Sequence, residues 1–105
     1  MRQTNVDLRR YYRTANRLYF RNRLPKDLPV RFAKIRGLGR TKVQSDKVPL
    51  WIEIGEDLRR IPCITVMTVL HEMVHVENPA WKGHGWKFER RMLKLAKDGA
   101  FAGLW

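Results

Sequence analysis

The residues with the most chemistry in this 105-residue chain are His71, Glu72 and His75, in the order His-Glu-x-x-His, followed by His84 nine positions later. On a helix His71 and His75 fall one turn apart on one face, a spacing at which two imidazoles hold a single zinc ion. Glu72, about 100° round such a helix, reaches a water on that ion. A third imidazole from His84 leaves a fourth coordination position open, which is the arrangement of a catalytic rather than a closed structural site. The ion lowers the pKa of the water and polarises a carbonyl, while Glu72 takes the proton and passes it to the leaving amine. The expectation is metal-assisted hydrolysis with one Zn2+ per chain, held by His71, His75 and His84, with Glu72 as base. Glu77 and Glu89 are the alternative third ligands, and Glu77 fits less well because it shares the helix of the first pair.

Two features separate this pattern from a chance match. The surrounding run, Pro62 to Glu77, is otherwise apolar, so two imidazoles and a carboxylate there are costly without a partner such as a metal. All three histidines of the chain also fall between positions 71 and 84, the last between Gly83 and Gly85, where the backbone can fold back toward the pair.

The elements that must position these groups follow from pattern. Leu8, Tyr11, Tyr12, Ala15, Leu18 and Tyr19 recur at helical spacing between about Asn5 and Asn22, with Arg9, Arg10, Arg13, Arg17 and Arg21 on the remaining surface. Thr4 or Asn5 is the expected cap. Pro25 and Pro29 open a β region: Val30, Phe32 and Ile35 suggest one strand, Arg40 to Gln44 a second after the Gly37-Leu38-Gly39 turn, and Leu50, Ile52 and Ile54 a third. Three short consecutive strands predict an antiparallel meander. Glu56 to Arg60 reads as a helical turn. Pro62 to Glu77 is rich in β-branched residues, yet sixteen residues without a turn signal are too many for an ordinary strand, and Pro62 suits a first helical turn. Pro79 forces Asn78 out of helical geometry and stops it. A final helix runs from Trp86 to about Asp98, and the apolar tail from Ala100 is expected to dock on the core.

Charge bounds the partners. The chain carries 22 Lys+Arg against 10 Asp+Glu, net +12. Residues 1–47 hold 14 basic and 3 acidic side chains, a net of +11, so the basic half lies upstream of the histidines. A field of this size attracts polyanions, nucleic acid foremost. The single cysteine, Cys63, excludes an internal disulfide and any ribbon built on cysteines. With no apolar leader and no stretch near the ~20 apolar residues of a membrane span, the expectation is one domain over 1–105, cytoplasmic (nucleoid-associated, or nuclear in a eukaryote), without membrane contact.

Thr68-Val69-Leu70-His71-Glu72-Met73-Val74-His75, followed by Gly83-His84-Gly85-Trp86-Lys87-Phe88, resembles the SprT-like zinc metalloprotease domain, the family of the DNA–protein crosslink protease Spartan. Weaker matches run in order: the N-terminal helix leading into Tyr19-Phe20 and Leu24-Pro25, then Leu38-Gly39-Arg40-Thr41, then the strand from Leu50 to Ile54. The resemblance implies an α+β, zincin-like minimal protease domain: an N-terminal helix, a small three-stranded antiparallel sheet, and two helices carrying the metal site. It implies the same ligands and base, His71, His75, His84 and Glu72, and cleavage of DNA-associated or DNA-crosslinked proteins. Longer relatives continue into a cysteine-rich zinc-binding segment that this sequence lacks. Trp81, Lys82, Trp86 and Lys87 flank His84, so indoles and positive charge beside the metal, together with Arg9, Arg13 and Arg17, are the candidate DNA contacts. Single strands are favoured, and a monomer is expected. Two other readings stay open: a nucleic-acid-binding protein on the same scaffold with a structural or vestigial metal, and a general metallopeptidase indifferent to DNA.

Overall fold

In the computed structural model, which describes residues 7–46, 48–81 and 83–102, the first helix, α1, spans Leu8–Tyr19. Its cap is Asp7, whose Oδ1 accepts the Arg10 N–H at 3.2 Å; Thr4 and Asn5, the expected caps, lie outside the described residues. The helix buries Leu8, Tyr12 and Ala15, and leaves Leu18, read as part of the apolar face, 55% exposed. It ends three residues before Asn22. Arg21 and Asn22 adopt positive φ (53° and 59°), and the buried Asn16 captures the chain beyond them. Its side-chain amide donates to the Leu24 carbonyl at 3.0 Å, and its Oδ1 accepts the Leu24 N–H at 3.2 Å.

Strands β1 (Val30–Ala33), β2 (Gly39–Val43) and β3 (Pro49–Gly55) form one sheet in the order β1-β3-β2. β2 and β3 are antiparallel, as a meander requires, but β1 pairs with β3 in parallel, so the sheet is mixed. The reason lies in β3. Its Ile52 and Ile54 are fully buried, and burial is greatest when the most apolar strand takes the centre. The five residues between β1 and β2 therefore bridge over the end of β3, a gap of about 10 Å, or two strand spacings. Gly55 makes the crossing fit. Its N–H donates to the Leu38 carbonyl at 2.7 Å, and a Cβ there would sit 3.0 Å from the Gly37 oxygen. The expected Ile35 and Gln44 fall outside the strands, and Gly39 begins β2 rather than ending a turn.

A 3-10 turn (Glu56–Arg60) leads into α2 (Pro62–Glu77), which has the expected boundaries, with Pro62 in the first turn and Asn78 as the C-cap. β-branched residues form a helix here because burial outweighs propensity: Val69, Leu70, Met73 and Val74 are all at 0% exposure. Helix α3 (Trp86–Lys97) follows, with Phe88 and Leu95 buried. Ala100 is buried and Phe101 packs on the core, as expected of the tail, whose last three residues lie outside the described residues. Arg91 ties three elements together. Its Nε donates to Glu77 Oε1 at 2.7 Å, its terminal nitrogen donates to Glu77 Oε2 at 3.2 Å and to the Tyr19 carbonyl at 2.9 Å, and its guanidinium lies 4.8 Å from the Phe20 ring.

β2 lies hard against α2 at Gly39. A Cβ at this position would meet Thr68 Cγ2 at 2.7 Å and the Glu53 carbonyl at 3.2 Å, so backbone or helix must yield. Gly39→Ala is expected to lower stability by about 1–3 kcal/mol, the usual cost of overpacking, measurable as a reduced urea midpoint with an unchanged m-value.

Candidate metal centre

The three histidines converge. Nε2 of His84 lies 3.0 Å from Nε2 of His71 and 3.3 Å from that of His75, and one nitrogen from each ring falls within 4.8 Å of the others. His71 and His75 reach this point because α2 stacks them one turn apart. His84 reaches it because the chain leaves α2 at Asn78, turns through Gly83 (φ 66°) and re-enters a helix at Trp86. Phe88, 4% exposed, packs against all three imidazoles, with ring centroids 4.7, 4.8 and 4.8 Å from His71, His75 and His84. It acts as the floor that fixes the orientation of the rings.

The donor set fits a metal. Hydrogen bonding can join three nitrogens meeting at one His84 Nε2 only through a single shared proton or lone pair, whereas a cation between them satisfies all three. In tetrahedral zinc with bonds of 2.0–2.1 Å the ligand nitrogens stand about 3.3 Å apart, close to the two separations from His84. Burial, and then the neighbouring His75 and His84, hold the His71 imidazole down from its ordinary 6.5 to about 4. Burial and His84 act in the same direction on His75. Both rings are therefore neutral at neutral pH, with lone pairs available to a cation. Among the described residues no carboxylate joins the cluster; Glu77, weighed above as a third ligand, is engaged by Arg91.

Glu72 is buried on the same helix, 5% exposed. Burial raises its carboxyl above the usual range, and a hydrogen bond from the Thr41 hydroxyl to Oε1 at 2.8 Å opposes that shift. Thr41 projects from β2 toward α2, beside the close approach at Gly39, so the sheet edge holds the carboxylate. Among the described residues Oε2 has no protein hydrogen bond. His71, Glu72 and His84 share the lining of a cavity of about 440 Å³, whose other walls include Leu38, Ile64, Met67 and Met92. The site thus combines three metal-competent nitrogens, one buried carboxylate and an apolar cleft, a combination able to polarise a carbonyl and activate water against it.

The expected nucleic-acid residues lie on different elements. Arg9, Arg13 and Arg17 are exposed on α1. Trp81 is half-buried against the core, an anchor for the loop. Trp86 is 63% exposed, with the Lys87 ammonium 5.8 Å and the Arg90 guanidinium 5.7 Å from its ring. Lys82 lies outside the described residues. Residue patterns placed Gly39 in a turn and both Gly39 and Thr41 in the Leu38-Gly39-Arg40-Thr41 match, but gave neither a role at the site, and did not single out Arg91. Phe88 was legible only as an apolar helix position, although its place four residues after His84 was the available signal. Compared with known proteins, the chain matches no family model, no curated protein and no solved structure.

Proposed function

We propose that this chain is a zinc-dependent endopeptidase of the SprT-like kind, acting on proteins associated with or crosslinked to DNA. The observation that carries the reading is the meeting of His71, His75 and His84 at Nε2, with His71, His84 and the buried Glu72 lining one apolar cleft. A zinc ion held by the three imidazoles would supply Lewis-acid polarisation of the scissile carbonyl and acidify water. Glu72 takes the proton of the attacking water and delivers it to the leaving amine. Thr41 orients the carboxylate through Oε1 and leaves Oε2 for the water. Leu38, Ile64, Met67 and Met92 exclude solvent and take an apolar side chain of the substrate. The net charge of +12 supports a nucleic-acid partner, with single strands favoured, and the reading takes the enzyme as a monomer.

The test is zinc content together with cleavage of an unstructured protein such as casein, with and without single-stranded DNA. The expected result is one zinc per chain and cleavage that chelation abolishes, that zinc restores and that DNA stimulates. Zinc without cleavage under any condition would favour a nucleic-acid-binding protein with a structural metal. Equal cleavage with and without DNA would favour a general peptidase.

A further inference from the structure

The mixed sheet has two faces of opposite character. Val30, Thr41, Ile52 and Ile54 point toward the helices. Alternation turns Arg31 of β1, Trp51 and Glu53 of β3, and Arg40 and Lys42 of β2 to the other side. Among the described residues no element covers that side: Arg31, Arg40 and Lys42 are all exposed. At its centre Glu53 is 7% exposed, held under Arg40, whose Nε donates to Oε1, and beside Arg31, whose terminal nitrogen is 3.6 Å from Oε2. The Arg31 guanidinium lies over the Trp51 ring at 4.9 Å.

A carboxylate buried between two half-exposed arginines adds little stability, because its desolvation offsets the attraction. What it does is hold two guanidinium groups in fixed positions at the surface, with donors left over on each. Three cations against one carboxylate leave the face positive. The Trp51–Arg31 stack also presents a flat cationic plane of the kind on which unpaired bases stack.

We infer that this outer sheet face, built on Arg31, Trp51, Glu53, Arg40 and Lys42, binds single-stranded nucleic acid, with Arg40 and Lys42 on phosphates and a base against Arg31. The inference rests on the nucleic-acid partner proposed above and gives it a location away from Trp81 and Trp86. A single strand fits better than a duplex. A duplex hides the base faces that the Arg31 plane would stack, and its major groove admits a helix or a two-stranded ribbon rather than a three-stranded sheet. The location also joins the two halves of the proposed function. Arg40 and Lys42 face the strand, while Thr41 between them faces Glu72, so nucleic acid on one side of β2 bears on the base held from the other.

The test uses the full chain carrying Glu72→Gln, so that cleavage plays no part, and measures fluorescence anisotropy of labelled dT15 across a salt series. Arg31→Gln/Glu53→Gln/Arg40→Gln removes the carboxylate together with its partners and leaves no unpaired buried charge; a thermal melt verifies its fold. The expected result is affinity at least about 10-fold weaker, with the log K against log salt slope flatter by about 0.7, the one phosphate contact of Arg40 on a single strand. Trp86→Ala should bind as the parent does, and a 15-base-pair duplex should bind at least about 10-fold more weakly than dT15. Unchanged dT15 binding by the triple variant overturns the location alone, whereas no binding by the parent chain overturns the nucleic-acid partner as well. Displacement of dT15 by poly-glutamate at equal charge would make the face a general polyanion surface and overturn the single-strand assignment. Concentration-dependent self-association abolished by the triple variant would make it an interface between copies, and overturn it too.

Discussion

In Glu72→Gln, cleavage of a protein substrate is expected to fall by about 10³- to 10⁴-fold, toward the upper end of what a positioned acid–base group contributes, while zinc stays bound. The substitution is nearly isosteric, and the amide oxygen can still accept the Thr41 hydroxyl bond made at 2.8 Å, so the packing of β2 on α2 is kept. What is lost is the capacity to take and return a proton. Zinc content by mass spectrometry of the native protein, measured beside the rate, separates this outcome from a broken site; substantial cleavage by the variant would remove Glu72 from the mechanism. Thr41→Val supplies the graded companion. The hydroxyl bond lowers the Glu72 pKa against the larger effect of burial, so its removal raises that pKa further, and the acid limb of the pH–rate profile moves to higher pH. The sign in the metal-free chain is set by the same shift: a carboxyl raised in the folded state contributes stability at low pH, and that contribution is lost as pH rises through the folded pKa.

Replacing any one ligand should be as severe for metal as Glu72→Gln is for turnover. His71→Ala, His75→Ala and His84→Ala are each expected to weaken zinc binding by more than about 10²-fold, beyond the 10- to 100-fold that loss of an outer-shell partner costs; competition with a chromogenic chelator reads it. If one of the three retained affinity, that residue would not be a ligand. The histidines also leave a signature without metal. His71 is held at about 4 against an ordinary 6.5, and His75 is shifted the same way. Between these values the unfolded chain takes up protons that the folded chain refuses, so the histidines' contribution to the stability of the metal-free protein is lost as pH falls from 6.5 toward about 4, against the opposite term from Glu72. Urea melts at pH 7 and pH 5 on the parent and on His71→Ala isolate that term: from pH 7 to pH 5 the change in stability should be less favourable in the parent than in the variant, because the imidazole that resists protonation most is then gone.

The site was more legible than the sheet that supports it. His71, Glu72 and His75 are read directly because a single helix fixes their spacing, and Pro62 and Pro79 mark the ends of that helix by sterics alone. His84 could be placed because glycines flank it. The partner of Glu72 was not legible. Thr41 lies 31 residues away, and nothing in a polar, basic strand announces which face meets the helix. The strand pairing failed for a related reason. Alternation shows that Val30–Ala33, Gly39–Val43 and Pro49–Gly55 are strands, but the order β1-β3-β2 depends on which strand gains most from two neighbours. Only the burial of Ile52 and Ile54 decides that. Arg91 was hidden as one cation among 22, its role set by where two other helices end.

The central position of β3 has a consequence for the chain as it is made. β1 and β2 leave the ribosome before the strand that separates them, so neither has its partner until Pro49–Gly55 has been synthesised. During that interval two strands display unpaired backbone, the condition that invites pairing with another chain. Their side chains answer it: Arg31, Arg40 and Lys42 place like charge on both strands and on every other nascent copy. The charge that the folded domain turns outward thus also keeps the unfinished chain from pairing wrongly while it waits for its middle strand.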